Sequence, residues 1–316
     1  MRYILFIFSF LIFPSFLTGE ESIKSYDSFT DLSLQVSSLP EAKLVLTQSF
    51  IFPFIQGSGP LTSDNNIKTS FSAELSPISL NGITEIIWTP IAFFELSVGG
   101  LLGSGWNIPM ADGIGINEPI GVYQEGNRRK SEINGSAFDG FIWNAWAGNA
   151  LQFDLAAVFP GAWNHVLFRV YNEFRYSAYS KADSGNSWVF ENQNENRNGW
   201  IWYGNAVIGY QMPLSPVLDF VGLMAEVDRN FYDTQGGDFW GDKLPYWIFS
   251  SLFNFNINPR LSSTLIIQMH TLRNYGTSDL KNLEGYWYQD LELQHDHGSQ
   301  RLAFHRAAVI FNYKLR

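Results

Sequence analysis

The chain has 316 residues, enough for one large or two ordinary domains, and a formal net charge of −10. Aromatic residues make up 16% of it and charged residues also only 16%, against roughly 25% charged residues in soluble proteins. An acidic chain without a basic stripe is a poor nucleic-acid binder, and the absence of cysteine excludes disulfides and thiolate metal sites.

The first predicted element is a secretory signal peptide over residues 1–19. Arg2 is followed by an apolar core from Tyr3 to Leu17, and cleavage is expected near Gly19. The alternative is an uncleaved membrane anchor. Residues 20–40 are expected to form an N-terminal segment in the periplasm or in a barrel lumen. Beyond the signal peptide no apolar run reaches roughly 18 residues, so no membrane-spanning helix is expected.

Past residue 40 the apolar residues recur with a period of two. In "KLVLTQSFIFPF", Leu44 and Leu46 lie opposite Lys43 and Thr47. The same alternation returns along the chain until its last residues, "VIFNYKLR" (309–316). Because side chains alternate across a strand, each such stretch predicts a strand with one apolar and one polar face.

The connections between these strands are alternately short and long. An up-and-down meander then places all short turns at one end and all long loops at the other, which is typical of a barrel with short periplasmic turns and long external loops. The short turns are predicted at 79–82, 160–163, 213–216 and 257–260, and the long loops at about 55–66, 104–135, 181–197, 232–244 and 275–299.

The polar face of these strands decides between two architectures. A soluble β-sandwich would show charges over most of its outer faces, whereas here that face is mainly Ser, Thr, Asn, Gln and Gly. A barrel in lipid turns its apolar face to hydrocarbon and leaves no strand edge unpaired. The sequence therefore predicts a transmembrane antiparallel barrel over residues 41–316, with a soluble exported sandwich as the alternative.

The strand count follows from the same pattern and is about ten. Two segments allow about twelve strands, the even number above it. "AGNA" (147–150) is either a tight turn or the middle of one long strand, and the unbroken apolar parity favours the long strand. "YWYQDLEL" (286–293) is either a strand or part of a loop.

The signal peptide, the alternating strands, the loop asymmetry and the final "FNYKL" resemble the Gram-negative-type outer-membrane β-barrel proteins. The resemblance is one of architecture, covers nearly all of the mature chain and matches no specific family. It implies two partners, an outer-membrane bilayer of lipopolysaccharide type and the barrel-assembly machinery. That machinery would recognise Phe311, Tyr313 and Leu315, although the last residue, Arg316, departs from the usual aromatic or apolar end.

Charged and ionisable residues within the predicted strands share the inward parity. A mid-plane arginine on the lipid face would cost roughly 2–4 kcal/mol, so a common inward parity agrees with the barrel. These residues either set selectivity along a transport path or fill a narrow barrel with an ion-pair network. They are Glu74, Glu95, Asp154, Arg169, Glu173, Arg175, Glu226, Asp228, His270 and Arg306.

The last long loop contains the densest group of titratable residues. In "LQHDHGSQ" the rings of His295 and His297 would share one side and could bind a metal ion, or they are incidental residues of a loop tip. The acidic character of 275–299 would attract divalent cations or cationic solutes. No motif indicates a cofactor, a nucleophile elbow or a P-loop.

Three functional hypotheses remain, because a fold does not determine function. The first is a small channel or solute-uptake barrel with a charged lumen. The second is a structural or adhesive surface barrel with a plugged lumen and working loops. The third is an outer-membrane hydrolase, since a ten-stranded barrel of this length is similar to the omptin surface proteases. Asp296 and His297 echo the Asp/His pair of that family, but the spacing differs and no early external loop carries a matching acidic pair.

Overall fold

The computed structural model is an all-β chain whose strands form one closed antiparallel barrel and one small sheet. It describes residues 26–39, 41–124, 128–213, 217–232, 241–275, 286–294, 296 and 298–315. Within that part of the chain the strands are β1 (Asp27–Ser37), β2 (Ala42–Pro53), β3 (Asn66–Ser76), β4 (Ser79–Ile91), β5 (Phe94–Gly105), β6 (Ile114–Ile120), β7 (Lys130–Asn134), β8 (Ile142–Asp154), β9 (Val166–Tyr179), β10 (Trp188–Phe190), β11 (Gln193–Asn196), β12 (Gly199–Gln211), β13 (Leu218–Asn230), β14 (Tyr246–Asn258), β15 (Leu261–Arg273) and β16 (Gln300–Lys314).

The barrel consists of twelve strands that are hydrogen-bonded in the order β1-β2-β3-β4-β5-β8-β9-β12-β13-β14-β15-β16. It is closed by β1 against β16, with Leu34 opposite Phe311 and Val36 opposite Val309. β2 takes no part in this closure, because it lies between β1 and β3.

The predicted all-β antiparallel up-and-down barrel is confirmed, but the count of ten is wrong and the alternative of twelve is correct. Neither segment named for the alternative supplies the additional strands. "AGNA" lies in the middle of β8, as its parity favoured. Residues 286–293 contain a 3₁₀ turn (Tyr288–Asp290) and isolated bridges outside the barrel. The additional strands are β1 and one that arises where residues 79–105 reverse direction. β1 lies within residues 20–40, for which the sequence predicts a periplasmic or lumen segment and the structure shows a strand of the barrel wall.

The reversal within residues 79–105 leaves no trace in the alternation. The chain turns at Ala92 and Phe93, between β4 and β5. The pairing register shifts between Trp88 and Ile91, so that Trp88 pairs with Leu96 and Ile91 with Phe94. Because of that irregularity, even-numbered residues face outward on both strands, and the pattern reads as one long strand.

The reversal also changes which end of the barrel each early connection occupies. The end at which β5, β9, β13 and β15 finish is called the cap end, and the other the turn end. The predicted long loop 55–66 lies at the turn end, and residues 79–82 belong to β4, whose hairpin at 77–78 lies at the cap end. β1 begins at the turn end, where β16 ends, since Asp31 pairs with Lys314.

The outer face of the barrel is apolar on every strand. Large hydrophobic side chains are exposed at alternate positions, for example Phe71 at 53%, Leu102 at 58%, Phe174 at 56% and Leu223 at 61%. Soluble monomers rarely expose apolar patches larger than a few hundred Å², whereas a continuous outward apolar band is the lipid-facing surface of a membrane barrel. No helix in the described part of the chain is long and apolar enough to cross a membrane.

The remaining strands form a four-stranded sheet at the cap end, in the order β11-β10-β6-β7. It is built from the two connections that follow β5 and β9, which meet where β10 pairs with β6. Ile114, Trp188 and Phe190 of this sheet pack with Ile142 and Tyr179 of the barrel wall into a buried apolar cluster. This small core anchors the sheet to the barrel. We call the sheet and the other connections at the cap end the cap.

Candidate functional site in the barrel lumen

The inner face of the barrel carries the ten ionisable residues that share the inward parity. Of these, Glu74, Glu95, Glu173, Arg175, Glu226 and Arg306 are buried, and Asp154, Arg169, Asp228 and His270 are partly buried. They occur on β3, β5, β8, β9, β13, β15 and β16. The lumen therefore has charged side chains on several adjacent strands rather than at one point.

Lys43 is the centre of a buried network on the β2–β4 wall. Its Nζ donates to Glu74 Oε1 at 2.9 Å and to Glu191 Oε2 at 2.8 Å. Glu191 Oε1 also accepts from Ser79 Oγ at 2.7 Å and from Asn81 Nδ2 at 2.8 Å. Glu191 lies in the turn between β10 and β11, so this network ties the cap to the inner wall.

Glu85 and Glu95 lie on the inner faces of β4 and β5. Arg169 Nη2 donates to Glu95 Oε2 at 3.3 Å, and Gln152 Nε2 donates to Glu95 Oε1 at 3.2 Å. Glu85 is bonded by the side chain of Trp146, which reaches it across β5. Gly99 is paired with both Glu85 and Trp146, and only a residue without Cβ leaves room for the indole there.

Strand β9 holds a further ion pair, and β12 contributes an aromatic ring to it. Glu173 accepts from the Arg175 guanidinium, and its Oε2 accepts from Tyr171 OH at 2.7 Å. The Arg175 guanidinium lies 5.9 Å from the centre of the Tyr203 ring. The Glu173 carboxylate and the Tyr203 ring therefore both help to hold Arg175.

Glu226 and Asp228 follow on β13 and are bonded differently. Glu226 Oε1 accepts from Tyr203 OH at 2.9 Å, while Glu226 Oε2 and Asp228 Oδ1 are buried without a hydrogen-bond partner. The register places Asp228 between Tyr203 on β12 and Tyr246 on β14. Asn205, next to Glu226, donates its Nδ2 to Tyr203 OH at 3.1 Å.

Arg306 is a fully buried cation on β16. Its Nε donates to Gln268 Oε1 at 2.6 Å and its Nη1 to Glu41 Oε2 at 2.8 Å, whereas Nη2 is buried without a partner. His270 lies nearby on β15, with its ring 4.3 Å from that of His305. Inward charged and polar side chains thus occur on successive strands from β9 to β16. We call this set the polar belt; it includes Glu173, Arg175, Glu226, Asp228, Gln268, His270 and Arg306.

An apolar patch lies on the turn-end side of the polar belt. It consists of buried side chains of β12 to β16 that pack against one another. The polar belt is therefore confined to the part of the lumen nearer the cap. The patch consists of Val207, Phe220, Met224, Leu252, Ile266 and Ile310.

The cap connections are bonded to one another. Arg129 Nε donates to Asp290 Oδ2 at 2.8 Å, and the backbone N–H of Trp287 donates to the carbonyl of Arg129 at 2.7 Å. Burial alone would raise the pKa of Asp290, but the hydrogen bonds from Arg129 outweigh it and lower that pKa. These contacts join the connection after β5 to the one after β15.

Asp242 lies at a second junction of the cap. Its carboxylate is 3.6 Å from Arg197 Nε and 3.7 Å from Arg273 Nη2, and Arg273 also pairs with Glu195. Burial raises the pKa of Asp242 to about 7 despite the attraction of the two guanidinium groups. This junction joins the connections after β9 and β13 to the end of β15.

Sequence reasoning missed several residues of the lumen. Lys43 and Glu85 lie on the polar face that the alternation identifies, so parity could have included them. Glu191 could not have been found in that way, because it lies in a loop and meets Lys43 and Ser79 only through the tertiary fold. Tyr203 and Tyr246 are aromatic residues on the inner face, where the pattern leads one to expect polar side chains.

The candidate metal ligands His295 and His297 lie outside the described residues. Asp296 between them is exposed. Among the residues that the structure describes, no group of three or more His, Asp or Glu is arranged to hold a metal ion.

Comparison with known proteins identifies no family. No family model matches the chain, and no curated protein matches it. One similar solved structure is described as the NanC porin, with a TM-score of 0.42 and 8% identity over 90% of this chain and 98% of that one. Another is CdiB from Acinetobacter baumannii, with a TM-score of 0.37 and 9% identity over 93% of this chain and 61% of that one.

These likenesses are too distant to assign residues or a role. The architecture stands on the structure itself. A closed barrel with an even number of strands, an apolar outer band and long connections gathered at one end is that of an outer-membrane β-barrel protein.

Proposed function

We propose that this protein is a bacterial outer-membrane channel that admits small polar solutes through a charged lumen. The observation that carries the proposal is the polar belt, in which ionisable atoms face the interior of a closed barrel without protein partners. Glu226 Oε2, Asp228 Oδ1 and Arg306 Nη2 are such atoms. Leaving charged atoms without any hydrogen bond is costly, so water or a solute is required beside them.

The width of the barrel supports the same function. Barrels of about eight strands are filled by side chains, whereas those of about sixteen strands enclose an aqueous channel. Twelve strands lie between these limits. We therefore infer a narrow, hydrated passage that is lined by fixed charges and whose mouth is covered by the cap.

The proposal includes export and location. Residues 1–19 would be removed as a signal peptide, and the apolar band would lie in the outer membrane with the turn end in the periplasm. Membrane fractionation and N-terminal sequencing of the expressed protein test this. Recovery in the inner membrane with Met1 retained would contradict it.

The test of transport is solute entry into liposomes that contain the refolded protein. Shrunken proteoliposomes should reswell in iso-osmotic solutions of small polar solutes, and more slowly as the solute becomes larger. Liposomes with heat-denatured protein provide the control. Equal rates with folded and denatured protein would exclude a passage for these solutes.

The cap favours a second candidate function, that of a surface barrel that binds a partner through its external connections. The salt bridge between Arg129 and Asp290 and the junction at Asp242 hold these connections in one shape, as a binding surface requires. Cells that display the protein should adhere to an immobilised partner, such as a matrix protein, and lose adhesion when the cap is shortened. Unchanged adhesion would contradict this candidate.

A further inference from the structure

Glu226 and Asp228 form a pair of carboxylates two residues apart on the inner face of β13. Glu226 is only 2% exposed, and its Oε2 has no hydrogen-bond partner, although Tyr203 OH is bonded to its Oε1. Asp228 Oδ1 is likewise buried and without a partner. Two adjacent carboxylates repel each other and lose hydration, so the site favours a positively charged group from outside the protein.

The lumen carboxylates Glu74, Glu95 and Glu173 each have a Lys or Arg partner, and Glu85 is hydrogen-bonded by the indole of Trp146. Among the described residues, no Lys or Arg nitrogen lies within salt-bridge distance of the Glu226 or Asp228 carboxylate, and each of these two keeps an oxygen without a hydrogen-bond partner. Arg175 attracts Asp228 and Arg306 attracts Glu226 electrostatically, but the salt bridges of these two cations are made with Glu173 and Glu41. The existing pairs are Lys43 with Glu74 and Glu191, Arg169 with Glu95, Arg175 with Glu173, and Arg306 with Glu41.

Aromatic residues lie on either side of Asp228. Tyr203 and Tyr246 occupy the positions directly opposite Asp228 on β12 and β14. Aromatic faces together with carboxylates suit an organic ammonium group. A divalent metal ion is a poorer match, since Ca²⁺ takes about six to eight oxygen ligands and no third ionisable ligand among the described residues completes such a site.

We propose that Glu226 and Asp228, framed by Tyr203 and Tyr246, bind the ammonium group of small organic cations in the lumen. The proposal deepens the proposed function, on which it rests, by naming the substrate class. Both carboxylates would accept hydrogen bonds from the ammonium group through their unpartnered oxygens. The amino-bearing solute would thus be selected over a neutral solute of the same size.

Equilibrium binding to refolded protein in detergent tests the proposal without requiring transport. Ethanolamine is the cationic probe, ethylene glycol the neutral probe of similar size, and Mg²⁺ the inorganic cation. Calorimetry on the unsubstituted protein should detect ethanolamine binding and no comparable binding of ethylene glycol. Equal binding of the two organic probes, or binding of Mg²⁺ alone, would overturn the proposal.

Substitutions then locate the site. E226Q and D228N should each weaken ethanolamine binding at least about tenfold, since a charge partner is lost. E95Q removes a carboxylate that Arg169 already holds on the β5 wall and should change binding less than about twofold. An equal effect of all three variants would overturn the assignment.

The binding and transport measurements distinguish this proposal from the proposed function. If ethanolamine binds but no solute enters liposomes, the binding site is supported and the channel is contradicted. If solutes enter but ethanolamine does not bind, the channel is supported and the binding site is contradicted.

Discussion

At the scale of single residues, Lys43 provides a direct test of the buried network. Lys43→Met leaves the carboxylates of Glu74 and Glu191 without their cation, in surroundings where the Lys43 side chain is 11% exposed. Breaking a buried pair in this way should lower the free energy of unfolding by about 3–5 kcal/mol. Urea unfolding of the refolded protein in detergent measures the loss.

The matched control is Lys181→Met. Lys181 pairs with Asp139 at 3.1 Å, but its side chain is 54% exposed. Exposed pairs contribute about 0–1 kcal/mol, so this variant should unfold almost as the original protein does. Similar losses for the two lysines would show that the Lys43 network is not a buried one.

Gly99 tests whether the inner wall is packed as described. A Cβ at this position would overlap the indole ring of Trp146, which lies across β5 toward Glu85. Gly99→Ala should therefore destabilise the barrel by about 1–3 kcal/mol, the usual cost of overpacking. Gly82→Ala is the control, because its nearest neighbour would be 3.9 Å away. Equal urea midpoints for the two variants would contradict this packing.

Residue-level prediction from sequence depends on the alternation and ends where the alternation ends. Parity identifies Glu95 and Arg169 as inward residues because each lies within a regular strand. It cannot show that they pair with each other, since β5 and β9 are separated by β8 in the barrel order. Glu191, in a turn with φ of 53°, follows no strand parity at all.

At the scale of elements, the cap should respond to pH through Asp242. Its pKa is about 7 in the folded protein against an ordinary value of 3.8, because burial disfavours the charged form. Between pH 3.8 and about 7, Asp242 is therefore protonated in the folded cap and ionised in an opened cap. The contribution of this proton to the stability of the folded cap is full at low pH and is lost as the pH rises through 7, so the cap should open more readily at pH 8 than at pH 5.

Hydrogen exchange, corrected for its intrinsic pH dependence, measures this opening. The charged groups that face Asp242 are Arg197, Arg273 and Glu195, and Asn230 is hydrogen-bonded nearby. Asp242→Asn keeps the shape of the side chain and should remove the dependence around pH 7. A dependence that persists in this variant would assign the effect to another group.

The last strand should matter for assembly because it closes the barrel. Phe311 lies opposite Leu34 of β1, and both side chains are exposed on the outer face. Phe311→Ser should reduce the fraction of heat-modifiable, folded protein in the outer membrane. Leu223→Ser, which exposes a hydroxyl on the outer face of β13, is the control. If the two variants assemble equally well, β16 has no special role.

Elements are predictable from sequence where the apolar period is long, and less so where a reversal preserves it. β16 and β8 follow directly from their alternation. The separate strands β4 and β5 do not, because the shift after Trp88 restores the parity across the turn at Ala92 and Phe93. β1 does show the alternation, at Leu32, Leu34 and Val36. These residues pair with apolar residues of β2. A strand count that begins at residue 41 leaves β1 out, although it is as long as β3.

At the scale of the whole molecule, the sequence predicts the class of fold better than its dimensions. Strands with an apolar face and a face of Ser, Thr and Asn can form a barrel that turns the apolar face to lipid. This argument does not depend on the number of strands. The count depends on local turns, and so does the end at which each early connection lies. The cap depends on loops that pair with one another, as β6 does with β10, across about seventy residues.

The central claim is that a hydrated, charged passage crosses the membrane inside the barrel. Single-channel recording in planar lipid bilayers tests it most directly, with protein whose folding has been verified by heat-modifiable migration. The account predicts discrete conductance steps and a reversal potential that favours cations, a preference that E226Q and D228N should reduce. The absence of steps from verified, inserted protein would contradict it.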